Sequence, residues 1–182
     1  MWLPAVTVTP PSAEPVLLAA AKQYLRIDAA DESFDDEIAS FIAASRAEIE
    51  SMCSTRLITQ EVLLQADGFS DLQHLPIGPV QSIDAVNYID SAGDEQLLVS
   101  ADYELVAGPL EAQIIRAQGV TWPTIADRPD AVRVTATVGY GDTGTDLPRD
   151  LYFVVLRSIR AKFDGSELAI ENMLVNHRIW MS

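Results

Sequence analysis

Glycine and proline are spread unevenly along this 182-residue chain, and the unevenness constrains its fold more than any other feature. Both residues punctuate turns and weaken the interiors of regular elements. Neither occurs from Val16 to Arg56. Eight of the nine glycines and six of the ten prolines fall between Leu57 and Pro148, and after Arg149 only Gly165 remains. The order is therefore helical, then strand-and-turn, then helical.

Hydrophobic spacing fills in that frame. After Pro15, residues Leu18, Ala21 and Leu25 share one face of a short helix. Ser33 to Asp36 has capping-box spacing, and Ile38, Phe41, Ile42, Ser45, Ile49 and Met52 then repeat with the period of a longer helix. In the middle block the period changes to two: Val132, Val134, Ala136 and Val138 alternate with Arg133, Thr135 and Thr137. VNYID and EQLLV flank Ser91-Ala92-Gly93 as a hairpin, and ITQEVLLQA, DYELVA and AQIIRA supply further strands. Beyond Pro148, residues Leu151, Val154, Val155, Ser158 and Ile159 mark a third amphipathic helix, expected to pack on the second. Leu168, Met173 and Leu174 predict a short fourth helix.

The fold class read from this pattern is α+β, a helical bundle of about three to four helices with an inserted small antiparallel β-domain. Residues 1–15 form an N-terminal arm, 16–56 a helical part, 57–148 the β-rich insertion, and 149–182 a C-terminal helical part and tail. All four belong to one structural unit. Its 48% hydrophobic and 21% charged residues are those of a chain that folds.

Charge narrows the partners. Twelve Lys and Arg face 27 Asp and Glu, a formal net charge of −15, so the surface repels phosphate. Duplex affinity comes largely from phosphates neutralised by Lys and Arg. The balance therefore counts against a groove that grips DNA and suits a channel through which DNA slides. Cys53 is the only cysteine, so no internal disulfide is possible, and it is expected as a small buried side chain at a helix end. No basic leader precedes an apolar core, and no ~18 apolar residues run together, so neither a signal peptide nor a membrane span is expected.

Motifs for chemistry fail on their surroundings. Gly139-Tyr-Gly141-Asp-Thr-Gly144 is a literal G-x-G-x-x-G between a predicted strand and a predicted helix. Asp142, Asp146 and Asp150 would set carboxylates where a pyrophosphate needs unopposed N–H groups, and the strands before it are antiparallel in character. A glycine turn leaving a strand is the expectation. The acidic run Asp28 to Glu37 offers oxygens for Ca²⁺ but lacks the glycine of the sharp turn and enters a helix whose N-terminus itself favours carboxylates. His74 and His177 lie apart and without the setting of a triad, and one Cys with two distant His cannot build a tetrahedral zinc site. No catalytic, cofactor-binding or metal-binding residue is assigned, and no enzyme activity is expected.

What remains is recognition. His177, Arg178, Ile179 and Trp180 end the chain with a basic-aromatic segment, and Arg and Trp are the side chains most often found as interface anchors. Trp2 and Leu3 in the N-terminal arm are candidates for contact with a neighbouring subunit.

The order of EPVLLAAAKQYLRID, DDEIASFIAASRAEIESMCSTRLITQ, LPIGPVQSIDAVNYIDSAGDEQLLVSADYELV, VRVTATVGYGD and LPRDLYFVVLRSIRAKFDG resembles the phage head–tail connector, or adaptor, family, including the adaptors of gene transfer agents. The likeness covers nearly the whole chain. Its most specific pieces are Arg46 to Thr59, Leu75-Pro76, Pro79-Val80 and the turn from Val138 to Asp142. Where family members commonly begin the first helix with a Ser or Thr cap, this chain has Leu17. The resemblance implies no catalytic residues and no cofactor. It implies a ring of about twelve copies closed by heterologous interfaces, seated in the virion neck between the portal protein and a stopper or tail protein, with DNA passing through the lumen. The chain would be made in the host bacterial cytoplasm and contact no membrane. His177 to Trp180 would reach the portal, and the strand insertion would face outward or toward the next component.

Overall fold

The computed structural model describes residues 1–180. Its internal contacts divide into a sheet unit, Met1–Pro10 with Thr59–Gly139, and a helical unit, Pro11–Ile58 with Tyr140–Trp180. Three helices, a five-stranded antiparallel sheet and a two-stranded sheet make it α+β, as the glycine and proline distribution indicates.

In the sheet unit the strands are β1 (Val6–Thr9), β2 (Gln60–Ala66), β3 (Val80–Ile89), β4 (Glu95–Leu97), β5 (Tyr103–Ala107), β6 (Ala112–Arg116) and β7 (Val132–Val138). The main sheet has the order β1-β2-β7-β3-β4. Strict alternation in β2 and β7 sends Val62, Leu64 and Ala66 to the same side as Val132, Val134 and Ala136. The register sets Val62 opposite Ala136 and Leu64 opposite Val134, so one buried face runs across both strands. Each such Leu or Val side chain contributes about 1.5–3 kcal/mol on burial. β5 and β6 pair with each other, and Ile114 turns into the same core. Phe69 stacks on Trp122 there with ring centroids 4.6 Å apart.

The hairpin expected around Ser91-Ala92-Gly93 forms, and Asp90 drives it. Its carboxylate accepts from the backbone N–H groups of Ala92 and Asp94, and Gly93 takes the left-handed φ of 93° that the turn requires. The first residues of the chain carry a strand that hydrophobic spacing did not show: β1 adds to the sheet edge beside β2, with Val6 opposite Leu63.

The helical unit consists of α1 (Leu18–Leu25), α2 (Asp35–Cys53), α3 (Arg149–Asp164) and the segment that follows. α2 buries Ile38, Ile42, Ser45, Ile49 and Cys53, one stripe with steps of three and four, and packs it against Leu151, Val154, Val155 and Ile159 of α3. α1 begins at Leu17 with no side-chain cap, as its sequence indicates. No described helix is long and apolar enough to cross a membrane.

Two expectations need correction. Ser33 does not cap α2. Asp31, two residues earlier, accepts the Ser33 N–H and closes a 3₁₀ turn over Glu32–Phe34, so the N-cap of α2 moves one residue on, to Phe34, and the helix starts at Asp35. An Asx turn has captured the donor that the capping box would have used. The fourth helix is also absent among the described residues: those after Gly165 make two 3₁₀ turns, Glu171–Met173 and Val175–His177. Asn172 and Asn176 favour turns over helix interior, and the apolar side chains Ile170 and Leu174 are buried without a helix to carry them.

Candidate interaction surface

The three glycines of the G-x-G-x-x-G loop have local work. Gly139 leaves β7 at φ 128° and donates its N–H to the Pro79 carbonyl. A Cβ on Gly141 would stand 2.5 Å from Asp146, whose carboxylate accepts from the Thr143 N–H at 2.9 Å and the Thr143 hydroxyl at 3.0 Å. A Cβ on Gly144 would meet the Pro15 carbonyl oxygen at 1.8 Å. The loop is filled by its own carboxylate, so the N–H that a phosphate would need is already taken.

The acidic run likewise closes on a group of this chain. The Lys22 ammonium, 4% exposed on α1, donates to the carbonyls of Ala29 at 3.1 Å and Asp31 at 2.7 Å and to Asp35 Oδ1 at 2.7 Å. The oxygens that a cation loop would offer therefore surround an ammonium. Further along, Glu50 ties the end of α2 to the chain leaving it: its carboxylate accepts the Leu57 N–H at 2.9 Å and meets Arg46, which forks onto Glu14 at 2.8 and 3.1 Å. Burial pushes the Glu50 carboxyl above its ordinary range. This clasp spans Arg46 to Leu57, within the stretch where the sequence resemblance is most specific.

The C-terminal segment divides by direction. His177 is buried, with Nε2 2.8 Å from Asp150 Oδ2 at the start of α3, and this partner holds the Asp150 carboxyl below its usual range. Ile179 is buried and donates its N–H to the Cys53 carbonyl at the end of α2. Between and beyond them, Arg178 lies over the Trp180 ring at 4.6 Å, and Trp180 is 64% exposed. Two inward residues thus anchor the segment, and two outward ones present a cation–π pair. Trp2 and Leu3 are engaged within the sheet unit. The Trp2 indole N–H donates to the His74 carbonyl at 2.9 Å, and the Leu3 N–H donates to Gln65.

A groove of about 550 Å³ opens in the helical unit where α1 and α3 begin. Its lining includes Glu14, Pro15, Leu17, Gly144, Tyr152 and Phe153. Leu17 is 72% exposed and Phe153 54%, which leaves large apolar side chains facing solvent at its rim. Sequence spacing gave no sign of this groove, because it depends on Gly144 approaching Pro15 from 129 positions away. An apolar concavity and an exposed Arg–Trp pair are each features common at protein contacts.

No protein-family model and no curated protein matches the chain. Solved structures do. A chain in the virion of a native gene transfer agent particle is 26% identical, with a TM-score of 0.78 over 99% of this chain and 97% of that one. A chain in the neck of an empty gene transfer agent particle, computed with C6 symmetry, is 24% identical with a TM-score of 0.77 over 99% and 98%. One in the native neck, computed with C12 symmetry, gives 23% and 0.73 over 99% and 98%. The resemblance to head–tail connectors drawn from residue order is thus matched by a likeness of fold from end to end.

Proposed function

We propose that this chain is a structural head–tail adaptor of a tailed phage or phage-like particle, one copy in a ring between portal and tail. The observation that carries the reading is the end-to-end likeness to a chain of the gene transfer agent virion, at 26% identity and a TM-score of 0.78. Two further neighbours come from necks computed with C6 and C12 symmetry, which favours a ring of twelve copies. Adaptors act by shape and charge and perform no catalysis. The net charge of −15 fits that role, since a strongly acidic ring lets DNA pass without holding it.

The portal protein on one side and a stopper or tail protein on the other are the partners this reading supplies, with the virion neck as the location. Arg178 and Trp180, facing outward, are the part of the C-terminal segment available for a protein contact, with the portal as the partner expected from the family. Imaging purified particles tests the proposal. A ring of density at the neck fitted by this chain is the expected result; density elsewhere in the particle, or none, would overturn it.

A further inference from the structure

Side chains from His177 to Trp180 alternate inward and outward, and the backbone accounts for the alternation. Arg178 is extended, with φ −100° and ψ 130°, and in an extended chain successive side chains point to opposite sides. His177 and Ile179 therefore share the buried side, and Arg178 and Trp180 share the open one. We propose that His177 and Ile179 are positioning residues for the partner contact: they hold Arg178 and Trp180 in the pose that the partner receives, so this end of the chain docks as a pre-set surface. The inference rests on the adaptor reading above and deepens the contact assigned there.

The two anchors reach different helix ends. Ile179 donates its N–H at 2.9 Å to the Cys53 carbonyl, one of those that the last turn of α2 leaves without a helical partner. His177 Nε2 lies 2.8 Å from Asp150 Oδ2 in the first turn of α3. Held at two points, the segment cannot pivot about one. Arg178 adds a third tie. α2 has no basic residue in its last turn. Burial pushes the Cys53 thiol up and the charge of Arg178 opposes that shift, so a cation stands at the negative end of the helix dipole.

What the anchors leave open defines the partner's chemistry. The Arg178 guanidinium lies over the Trp180 ring at 4.6 Å, and the indole is still 64% exposed. Among the described residues no carboxylate pairs with Arg178. A cleft that admits an indole, with a carboxylate at its mouth, satisfies both side chains. A cation at this contact also offsets the repulsion between a chain of net charge −15 and an acidic docking face. Binding must order every side chain it immobilises, and here folding has already ordered the pair.

The test measures binding of the full chain to the portal ring of its own particle, with melting temperature as the control for folding. Trp180→Leu is expected to weaken binding about tenfold and His177→Ala about fivefold. His177→Gln keeps a donor for Asp150 and is expected to stay within about twofold of wild type. The double variant separates positioning from general support. His177→Ala added to Trp180→Leu is expected to cost less than about twofold more, because His177 acts through the pose of the indole. Losses that multiply, or a Trp180→Leu chain that binds like wild type, would overturn the inference and leave the adaptor reading standing. A wild-type chain that does not bind the portal overturns the inference together with the portal side of that reading. Arg178→Gln is expected to flatten the salt dependence of binding, and an unchanged dependence would overturn the carboxylate partner.

Discussion

The two units solve the same problem differently. Among the described residues, buried polar or charged side chains number six in the helical unit, namely Lys22, Ser45, Glu50, Thr55, Ser158 and His177, against Gln60 in the sheet unit. Strand pairing satisfies backbone groups along the ladder, so a sheet can fill its covered face with Val, Leu and Ala. Three helices joined by irregular loops leave orphan N–H and C=O groups at every end, and none of these helices has a side-chain cap. The helical unit instead draws charged side chains inward to serve loop carbonyls and amides. Local capping has been exchanged for long-range ion and hydrogen-bond contacts, which fix the loops as well as the helix ends.

If that contrast is right, the largest single loss should come from a charge and not from a core methyl. Lys22→Met keeps the length and apolar stem but leaves the Ala29 and Asp31 carbonyls and the Asp35 carboxylate without their cation. A loss of about 3 kcal/mol is expected from removing one partner of a buried pair, read as a lower urea midpoint in far-ultraviolet circular dichroism. Val134→Ala in the middle of β7 should cost less, about 2 kcal/mol for the lost burial and the cavity, followed by Trp122 fluorescence in the sheet unit. A reversal of that order would break the comparison.

The smallest effect sharpens it. The His177 partner depresses the Asp150 carboxyl below its ordinary 3.8, so the stabilisation is present above that value and lost as pH falls through the depressed one. The Asp150 side chain is 67% exposed, which screens the pair. Asp150→Asn should therefore cost under about 1 kcal/mol near neutrality, and the difference from wild type should shrink away as pH falls below the ordinary carboxylate range. A difference that persists unchanged into acid would show that packing of the terminal segment, and not the His177–Asp150 contact, holds it.

Much of the sheet and both long helices were legible because their signals are local. Alternation from Val132 to Val138 and the stripe from Ile38 to Cys53 need no knowledge of partners. What stayed hidden depends on distant residues. β1 has only four residues, all of them exposed, and exists because β2 offers an edge. The start of α2 shifted because Asp31 outcompeted Asp36 for the Ser33 amide. Of the candidate residues, Arg178 and Trp180 could be read from composition as an interface pair, but the inward turn of His177 and Ile179 between them could not, since it is set by Asp150 and Cys53 elsewhere in the chain. The groove was invisible for the same reason: Leu17, Tyr152 and Phe153 acquire meaning only when Gly144 lets the loop close on Pro15.

The cage around Lys22 has a practical consequence. A loop organised by a dissolved metal ion loosens whenever that ion is scarce or sequestered. Here the positive centre is covalently tethered seven residues before the first oxygen it serves, so its local concentration is set by the chain and not by the medium. The start of α2 should hold its shape in chelating buffer as well as in calcium-rich water, an advantage for any protein that has to endure surroundings it does not control.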